Sequence, residues 1–550
     1  MNRLISGRAF WGVLIVLLFS ANSHLIAAGI SIFNVEDYGA TGVKTDNATP
    51  AIQKAIDACG QAGGGMVYLP PGEYISGTLY LRSHVRFHIE GGATLYASKD
   101  MSLFNGQPRT DKAALLFAEN VEDVTLEGRG TVNGQGGYIW REDDLDDVFV
   151  RPAKDLMRSL GKSLLRSFPE GYPERKVYPH LVWMGKSTNV RITGLSFIDS
   201  QSWTMAFYAV ERMTIDGVYV YTKPNDAVWA DGIDMDGCRD VHISNSSITT
   251  GDDCIIFISG DAWGPARTCE NITVTNCRLS ASANAIKFSE GNMKGVQHVA
   301  IDNCVINDDS SGFSFAASNG GFVRDVVISN LTLNLKRFDW FWGQGGFMGM
   351  TLKSSAEYHG KPVSKDDPAP GSIQNIMIRN IIVHAKGRAH IDGHPNSWID
   401  GLTMENIKFF ISTDPSAPFD WTTNAMQFHW VRNLKLKDIE IHWDEPKVDR
   451  WQSAISIEDG EGVEIDGFTG RQAWEGRDVP AILLKNVSDA MIRDSKAPEG
   501  TGTFLKVTGN ASHDISLFGN DLRKAKVPVQ LDADVEKNAV QTLDNFMPVP

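Results

Sequence analysis

Cysteine is scarce in this sequence, with six residues among 550. No two of them have the Cys-x-x-Cys spacing that is typical of cysteine-bound metal ions. The sequence therefore predicts no metal site of this kind, and no cofactor is expected. Spacing alone assigns no disulfide among the six, which are Cys59, Cys238, Cys254, Cys269, Cys277 and Cys304.

Basic residues are in the minority. Lys and Arg number 52 against 67 Asp and Glu, which gives a formal net charge of −15. A nucleic-acid-binding surface needs a concentration of positive charge, so this class of partner is excluded. An acidic chain also repels an anionic polymer, so a site for such a polymer would need its own local cations.

Long apolar runs are absent after the first 28 residues. Within that segment Arg3 and Arg8 precede an apolar core, Phe10 to Phe19, and small residues follow. This order is typical of a secretory signal peptide, and the core is too short to span a membrane. We expect export to the periplasm or the extracellular space, with residues 1–28 removed and no membrane span in the mature chain. An uncleaved anchor is the alternative.

What the sequence does contain is an internal repeat. Two short runs of alternating apolar residues meet at an Asn or Gly, and the copies recur at a period within the roughly 20–50 residues of stacked repeat proteins. One copy cannot bury its apolar face, but stacked copies share a continuous core. The sequence therefore predicts an all-β fold, a right-handed parallel β-helix. Copies with Asn at the corner contain Asn245, Asn276, Asn303, Asn330 and Asn380.

The remaining organisation follows from this repeat. We expect residues 29–550 to form a single domain and a monomer. Residues 49–60 have their apolar side chains at helical spacing and should cap the open end of the stack. Insertions are expected at about 135–178 and 336–371, where the repeat is interrupted. The corner Asn side chains should hydrogen-bond along the stack, and Asn330, which lies in an Asn-x-Thr sequon, is expected to be buried.

One register of the predicted stack collects acidic residues. Aligning the strand starts places Asp231, Asp253 and Asn284 on neighbouring coils, about 4.8 Å apart per step. Asp252 is adjacent to Asp253 in the sequence, on what we expect to be a solvent-facing turn. Carboxylates so close repel one another, which should raise the pKa of at least one. A protonated and an ionised carboxyl group together are what glycoside hydrolysis requires.

Several segments resemble a known family. They are Phe33-Asn-Val-Glu-Asp-Tyr-Gly-Ala40, Ala51-Ile-Gln-Lys-Ala-Ile-Asp57, Gly63-Gly-Gly-Met-Val-Tyr-Leu-Pro-Pro-Gly-Glu-Tyr74, Ala230-Asp-Gly-Ile-Asp-Met-Asp-Gly237 and Thr250-Gly-Asp-Asp-Cys-Ile255. In combination they resemble glycoside hydrolase family 28, the polygalacturonase family, and related rhamnogalacturonan hydrolases. The resemblance covers most of residues 31–335 and extends more loosely beyond them.

The resemblance implies roles for the three aspartates. Asp231 matches the Asp of the family's Asn-Thr-Asp motif, and Asp252 and Asp253 match its paired aspartates. The family inverts configuration, so Asp252 is expected to be the general acid, while Asp231 and Asp253 hold the attacking water. A separation of about 6.5–9.5 Å between Asp252 and this pair is expected for inversion.

The sequence also departs from the family pattern. Trp229 and Ala230 replace the Asn and Thr that precede Asp231. The Gly-His-Gly motif aligns with Ala283-Asn284-Ala285, and the Arg-Ile-Lys motif, which grips a uronate carboxylate, aligns with Ser314-Phe315-Ala316. Loss of this cation argues against smooth polygalacturonan and favours a rhamnose-containing pectic fragment.

Other residues are candidates for contacting a sugar. Lys287 could partly replace the missing cation or simply be an outward strand lysine. The run 338–342 offers aromatic faces on which sugars stack. The group at 390–394 suggests a cleft rim, because its spacing on a strand does not converge well on a metal. The predicted substrate-binding residues are Trp229, Asn284, Lys287, Glu290, Trp340, Trp342 and His394.

The sequence thus predicts a polygalacturonase-like glycoside hydrolase. We expect an inverting acid/base mechanism on a pectic poly- or oligosaccharide, with exo action if the insertions close one end of the groove. A polysaccharide lyase on the same fold and a non-catalytic glycan-binding β-helix remain alternatives.

Overall fold

The chain coils into stacked parallel strands, and 38 of its strands belong to one continuous hydrogen-bonded system. The fold is a right-handed parallel β-helix, as the repeat predicted. The computed structural model describes residues 31–104, 112–138, 179–224, 227, 230–288, 294–338, 345–354, 357–358, 361–362, 369–414 and 422–549. The expected signal peptide and most of the first insertion lie outside these residues.

Strands of successive coils pair in three columns. The first column, called the site face below, is formed by Leu79–Tyr80, Ala114–Glu119, His180–Gly185, Met205–Tyr208, Ile233–Asp236, Ile255–Ile258, Ile286–Phe288, Ser311–Ser318, Gly346–Lys353, Gly387–Asp392, Met426–Arg432, Ile455–Asp466, Pro480–Arg493, Thr503–Thr508 and Val527–Leu531.

The second column runs down another side of the stack. It contains Ile32–Asn34, Gly65–Leu69, Val85–Ile89, Glu122–Gly128, Thr188–Thr193, Glu211–Asp216, Arg239–Ser244, Cys269–Thr275, Val296–Asp302, Phe322–Leu335, Ser372–Ala385, Ile399–Ile411, Lys435–Trp443, His513–Phe518 and Val540–Leu543. The long strands Ile455–Asp466 and Pro480–Arg493 pair with both of these columns.

The third column is made of short strands. It contains Gly72–Ser76, Ala93–Ala97, Thr131–Asn133, Ser196–Ile198, Tyr219–Tyr221, Ser247–Thr250, Arg278–Ala281 and Val305–Asp309. Outside the three columns, Glu357–Tyr358 and Lys361–Pro362 pair antiparallel, and 3₁₀ turns occur at Val35–Tyr38, Met101–Leu103 and Gly136–Tyr138.

Alternation along each strand separates the core from the surface. On the site face Ile233, Ile255 and Ile286 stack in register and are fully buried. The next residue of each strand points outward, because successive side chains of a strand lie on opposite faces. Burying such an isoleucine contributes about 1.5–3 kcal/mol. This stacking fixes the register, and therefore fixes which outward side chains become neighbours.

Asparagines occupy the corners between columns, as predicted. Asn330, for example, has a φ of 60°, in the left-handed region that Asn tolerates better than most residues. Its Nδ2 donates to Asp302 at 2.7 Å, and its Oδ1 accepts from Asn380 at 2.9 Å. The expectation that Asn330 is buried is wrong, because the corner side chains form their ladder on the outside of the turn, where Asn330 is exposed.

The N-terminal end of the stack is covered by the helix Thr49–Gln61. Pro50 stands in its first turn, where the missing N–H costs no hydrogen bond. Its buried side chains pack into the core, which agrees with the predicted cap; they are Ala51, Ile52, Ala55, Ile56 and Cys59. All six cysteines are buried free thiols.

The predicted second insertion, 336–371, contains part of the stack itself. Gly346–Lys353 pairs in parallel with Ser311–Ser318 on one side and with Gly387–Asp392 on the other. The site face therefore continues through this stretch. Among the described residues, no helix is long and apolar enough to cross a membrane.

Candidate active site

Two acidic residues lie at one register of the site face, with Asn284 on the next coil. Ile233 pairs with Ile255, and Ile255 pairs with Ile286, so the residues two positions earlier also align. These are Asp231, Asp253 and Asn284, as the sequence predicted. They stand immediately before their strands, at the corner where each coil enters the site face.

Hydrogen bonds tie these three corners together. The backbone N–H of Asp253 donates to Oδ1 of Asp231 at 2.8 Å. The backbone N–H and Nδ2 of Asn284 donate to Oδ1 of Asp253 at 2.8 and 2.6 Å. Each carboxylate is therefore held by the coil that follows it, and its position is set by the stacking of the backbone.

Lys287 supplies the positive charge of the cluster. It lies on the outward side of Ile286–Phe288, and its Nζ is 3.0 Å from Oδ2 of Asp253. Burial disfavours the ammonium, but the carboxylates of Asp253, Asp252 and Asp231 raise the pKa of Lys287 above its usual value. Lys287 therefore forms an ion pair with Asp253, close to the place where a substrate would bind.

Asp252 is not on a solvent-facing turn as expected, because it is only 7% exposed. One oxygen each of Asp231, Asp252 and Asp253 lies within 4.8 Å of the others. The distance between these nearest oxygens is shorter than the separation of about 6.5–9.5 Å that was expected between Asp252 and the other two carboxyl groups. Two hydrogen bonds of a water span up to about 5–6 Å, so these oxygens lie within the reach of one water.

Burial and mutual repulsion change the acidity of the group. Burial, then the charge of Asp253, raises the pKa of Asp231 to about 8, although Lys287 opposes the shift. Burial and the charges of Asp231 and Asp253 likewise raise the pKa of Asp252 well above its usual range. Asp231 and Asp252 therefore hold a proton more tightly than an ordinary carboxyl group does, which favours a general acid in this cluster.

A fourth carboxyl group, Asp234, was missed by the sequence analysis. It is fully buried, and neither carboxyl oxygen has a hydrogen-bond partner among the described residues. Burial and the charges of Asp231, Asp253 and Asp252 raise its pKa well above the usual range. The sequence could have predicted it, because Asp234 lies on the outward side of the strand Ile233–Asp236 and aligns with Ile256 and Lys287 on the next two coils.

An aromatic group on the same and neighbouring coils was also missed. Trp203 occupies the register of Asp231 one coil earlier and hydrogen-bonds its carboxylate. Its ring centroid is 5.7 Å from that of Trp263, which lies 5.9 Å from Trp183. Trp203 and Trp263 are half-buried, so part of each ring remains accessible. Extending the register alignment by one coil would have found Trp203.

The residues that align with the family's Arg-Ile-Lys motif lie on the coil after Lys287. Ser314 pairs in register with Lys287, and Ala316 stands two residues further on the same outward side. Ser314 is half-buried and Ala316 is buried. Neither side chain can form an ion pair, so the described part of this coil supplies no cation at the site.

Of the remaining sequence candidates, His394 lies among the described residues, and it stands apart from the aspartates. His394 follows the strand Gly387–Asp392, three strands along the site face from Lys287, and its Nδ1 accepts from the backbone of Asn396. Trp229, Glu290, Trp340 and Trp342 lie outside the described residues.

Metal binding is a second chemistry to test for this site. The spacing of Asp231, Asp252 and Asp253 would suit a cation. Lys287, however, already places a positive charge at Oδ2 of Asp253. A metal ion there would have to displace or repel the ammonium, so the residues present fit an acid/base site better than a metal centre.

Comparison with known proteins agrees with this geometry. The family model of "Glycosyl hydrolases family 28" matches residues 161–334. A second model, "Rhamnogalacturonase A/epimerase, pectate lyase-like", matches residues 32–143. The first of these regions contains all three aspartates and Lys287, and the second contains the N-terminal coils.

Individual relatives are more distant. A probable polygalacturonase of Vitis vinifera is 26% identical over 416 residues, covering 71% of this chain and 76% of that protein. An exopolygalacturonase of Zea mays is 25% identical over 250 residues, which cover 44% of this chain and only 52% of that protein. The solved structure of a family 28 exopolygalacturonase from Yersinia enterocolitica has the same fold, with a TM-score of 0.58 and 19% identity over 80% of this chain and 79% of that one.

The residues that match the family 28 model include the cluster of aspartates. The coils that carry Asp231, Asp252 and Asp253 lie inside the matched region, and their carboxyl groups are adjacent and buried. Residues 161–334, which carry the cluster, are similar to glycosyl hydrolase family 28, and the chain is a glycoside hydrolase.

Proposed function

We propose that the chain hydrolyses glycosidic bonds of pectic polysaccharide or its oligosaccharides. The observation that carries this proposal is the buried cluster of Asp231, Asp252 and Asp253 with an ion-paired Lys287. The relatives that match the chain are named polygalacturonases and exopolygalacturonases, which makes pectin the substrate class to test first.

In the proposed mechanism Asp252 is the general acid. Its raised pKa keeps it protonated, so it can donate that proton to the oxygen of the leaving sugar. A water between Asp231 and Asp253 attacks the anomeric carbon as the glycosidic bond breaks, and it loses its proton to this pair. The oxygens of Asp253 are engaged by Asn284 and Lys287, which makes Asp253 a poor covalent nucleophile and favours inversion over retention.

The sugar next to the cleaved bond is proposed to be neutral. Ser314 and Ala316 offer no charge to a uronate carboxylate, and Lys287 is paired with Asp253. A carboxylate placed there would lose a charge-assisted hydrogen bond of about 1.5–3 kcal/mol. The accessible rings of Trp203 and Trp263 suit the apolar face of a sugar such as rhamnose. A rhamnogalacturonan-type fragment is therefore the proposed substrate.

Product analysis tests this proposal. The chain, without residues 1–28, is incubated with pectic fragments of defined structure, and the fresh products are followed by nuclear magnetic resonance. Hydrolysis with an inverted anomer is expected. A retained anomer would overturn the proposed mechanism, and an unsaturated, ultraviolet-absorbing uronide would identify a lyase instead.

Two further properties are proposed from the sequence. The basic and apolar order of residues 1–28 supports export to the periplasm or outside the cell, where pectic material is encountered. The chain is proposed to act as a monomer. Exo or endo action is read from the same experiment, because an exo enzyme releases one small product from the start of the reaction.

A further inference from the structure

Three coils beyond the catalytic cluster, the site face carries an arginine with donors that no described residue accepts. Arg388 lies on the strand Gly387–Asp392 and is half-buried. Its Nη1 donates to Oε1 of Gln427 at 2.9 Å. Its Nε and Nη2 have no partner within the described part of the chain. A guanidinium with this geometry matches a carboxylate, which it can bind through two parallel hydrogen bonds.

The small residues Ser314 and Gly349 line the outward side of the site face between the cluster and this arginine, and this strip is called the trough below. Lys287 aligns in turn with Ser314, Gly349 and His390 along the outward side of the site face. A Cβ built on Gly349 would meet no atom of the described residues within 4 Å, so none of them fills the space above this position. Three strand steps of about 4.8 Å make the trough about 14 Å long, which is enough for several sugar units.

Burial lowers the pKa of Arg388, and the charge of Asp392 opposes this shift. Asp392 and Asp459 flank His429, with oxygens 3.3 and 3.1 Å from its two ring nitrogens. Burial, then the neighbouring charge of Arg388, lowers the pKa of His390 to about 4. At neutral pH His390 is thus an uncharged hydrogen-bonding group, and the positive charge facing the trough is that of Arg388.

We propose that Arg388, with His390 beside it, forms a distal subsite that binds the carboxylate of a uronate residue several sugars from the cleaved bond. The inference rests on the proposed function, because it places one sugar chain along the trough from the aspartates to Arg388. A neutral sugar at the cleavage site and a uronate further along are compatible in a polymer whose residues alternate.

Chain length is the variable that tests this subsite. KM and kcat are measured for Arg388→Ala on pectic oligosaccharides of increasing length, with each long substrate also prepared with its uronates methyl-esterified. For substrates long enough to reach Arg388, KM should rise about 10- to 100-fold with kcat nearly unchanged. Short and esterified substrates should show no change. Arg388→Lys should fall between, because it keeps the charge but loses the second hydrogen bond.

Two controls separate the possible results. Arg324→Ala removes an exposed arginine from the second column and should change nothing. An equal loss on short and long substrates would reveal a structural effect of Arg388→Ala and would overturn the subsite. So would binding that requires added Ca²⁺ and disappears with a chelator, since the occupant near His429 would then be a cation.

Direct binding distinguishes this inference from the proposed function. Calorimetric titration of the wild-type chain and of Arg388→Ala with a long uronate-containing oligosaccharide requires no turnover. Binding that depends on Arg388 without cleavage of any pectic fragment would sink the proposed function and keep the subsite. Cleavage with an affinity that is independent of Arg388 would sink the subsite alone.

Discussion

The backbone N–H of Asp253 donates a hydrogen bond of 2.8 Å to the carboxylate of Asp231 on the preceding coil. This contact makes the spacing of the two acids a property of strand stacking, and no flexible loop sets it. A preorganised pair of this kind needs little rearrangement when a water binds between its members. Changes at the cluster should therefore alter chemistry more than fold.

Asp252→Asn should abolish hydrolysis. The amide cannot donate an acidic proton to the leaving oxygen, and general acid catalysis contributes about 10²–10⁴-fold to the rate. Turnover is measured on whichever pectic fragment the wild type cleaves, with circular dichroism as a check on folding. Asp261→Asn, at an exposed position, is the matched control and should keep full activity. More than a tenth of wild-type turnover in Asp252→Asn would exclude it as the acid.

Lys287→Met should move the pH optimum upward. Lys287 lowers the pKa of both Asp231 and Asp252, so its loss makes each carboxyl group retain its proton to higher pH. The acid then stays protonated, and the base becomes ionised, at higher pH than in the wild type. Both limbs of the profile of kcat against pH should shift in this direction, with the maximum rate about 10- to 100-fold lower.

Two variants control this experiment. Lys287→Arg keeps the charge and should keep the wild-type optimum, whereas Lys336→Met removes an exposed lysine away from the cluster and should have no effect. A lower or unchanged optimum in Lys287→Met would show that Lys287 does not set the acidity of the aspartates.

The sequence predicted the part of the site that depends on register. Alternating apolar residues fix which side chains face the core, and the stacking of Ile233, Ile255 and Ile286 then brings Asp231 and Asp253 together. The same alternation predicted the columns of strands. These inferences needed only the period of the pattern and the spacing between coils.

Features that depend on neighbouring coils were not predictable in this way. The burial of Asp252, and the lack of a hydrogen-bond partner for Asp234 among the described residues, depend on neighbouring side chains that a repeat does not specify. The exposure of Asn330 follows from the direction of a left-handed corner, which the pattern of apolar residues leaves open. Trp203 was missed because it is a tryptophan at a position where the neighbouring coil has Asp231.

Asp234→Asn should make stability less dependent on pH. The folded-state pKa of Asp234 is raised, so between the unfolded pKa, about 4, and the folded value the folded chain binds more protons than the unfolded chain. Stability of the wild type therefore falls as pH rises through this window, by up to about 1.4 kcal/mol per pH unit from this group. The Asn variant has no carboxyl group at this position, so its stability does not fall with pH for this reason.

The measurement is the melting temperature of both proteins from pH 4 to pH 8. The difference between Asp234→Asn and the wild type should grow in favour of the variant as pH increases. Asp308→Asn, an exposed change, should give a constant difference. A constant difference for Asp234→Asn as well would mean that its carboxyl group ionises normally in the folded chain.

The last prediction concerns the choice of substrate. With Ser314 and Ala316 beside Lys287, the wild type should cleave a rhamnose-containing pectic fragment faster than smooth polygalacturonic acid of equal length at fixed salt. Trp203→Ala should raise KM for the rhamnose-containing fragment, because about 0.5–1.5 kcal/mol of aromatic contact is lost. The faster cleavage of smooth polygalacturonic acid by the wild type would contradict the assignment of a neutral sugar.

Ser314→Arg provides the converse test. Its side chain would stand next to Lys287 on the outward side of the site face, where a guanidinium could pair with a uronate carboxylate. Relative to the wild type, the ratio of smooth polygalacturonic acid cleavage to rhamnose-containing fragment cleavage should rise about tenfold or more, the effect of one charge-assisted hydrogen bond. Ser314→Gln has a similar reach without the charge and should leave the ratio nearly unchanged. Equal ratios in all three proteins would mean that position 314 does not contact the sugar next to the cleaved bond.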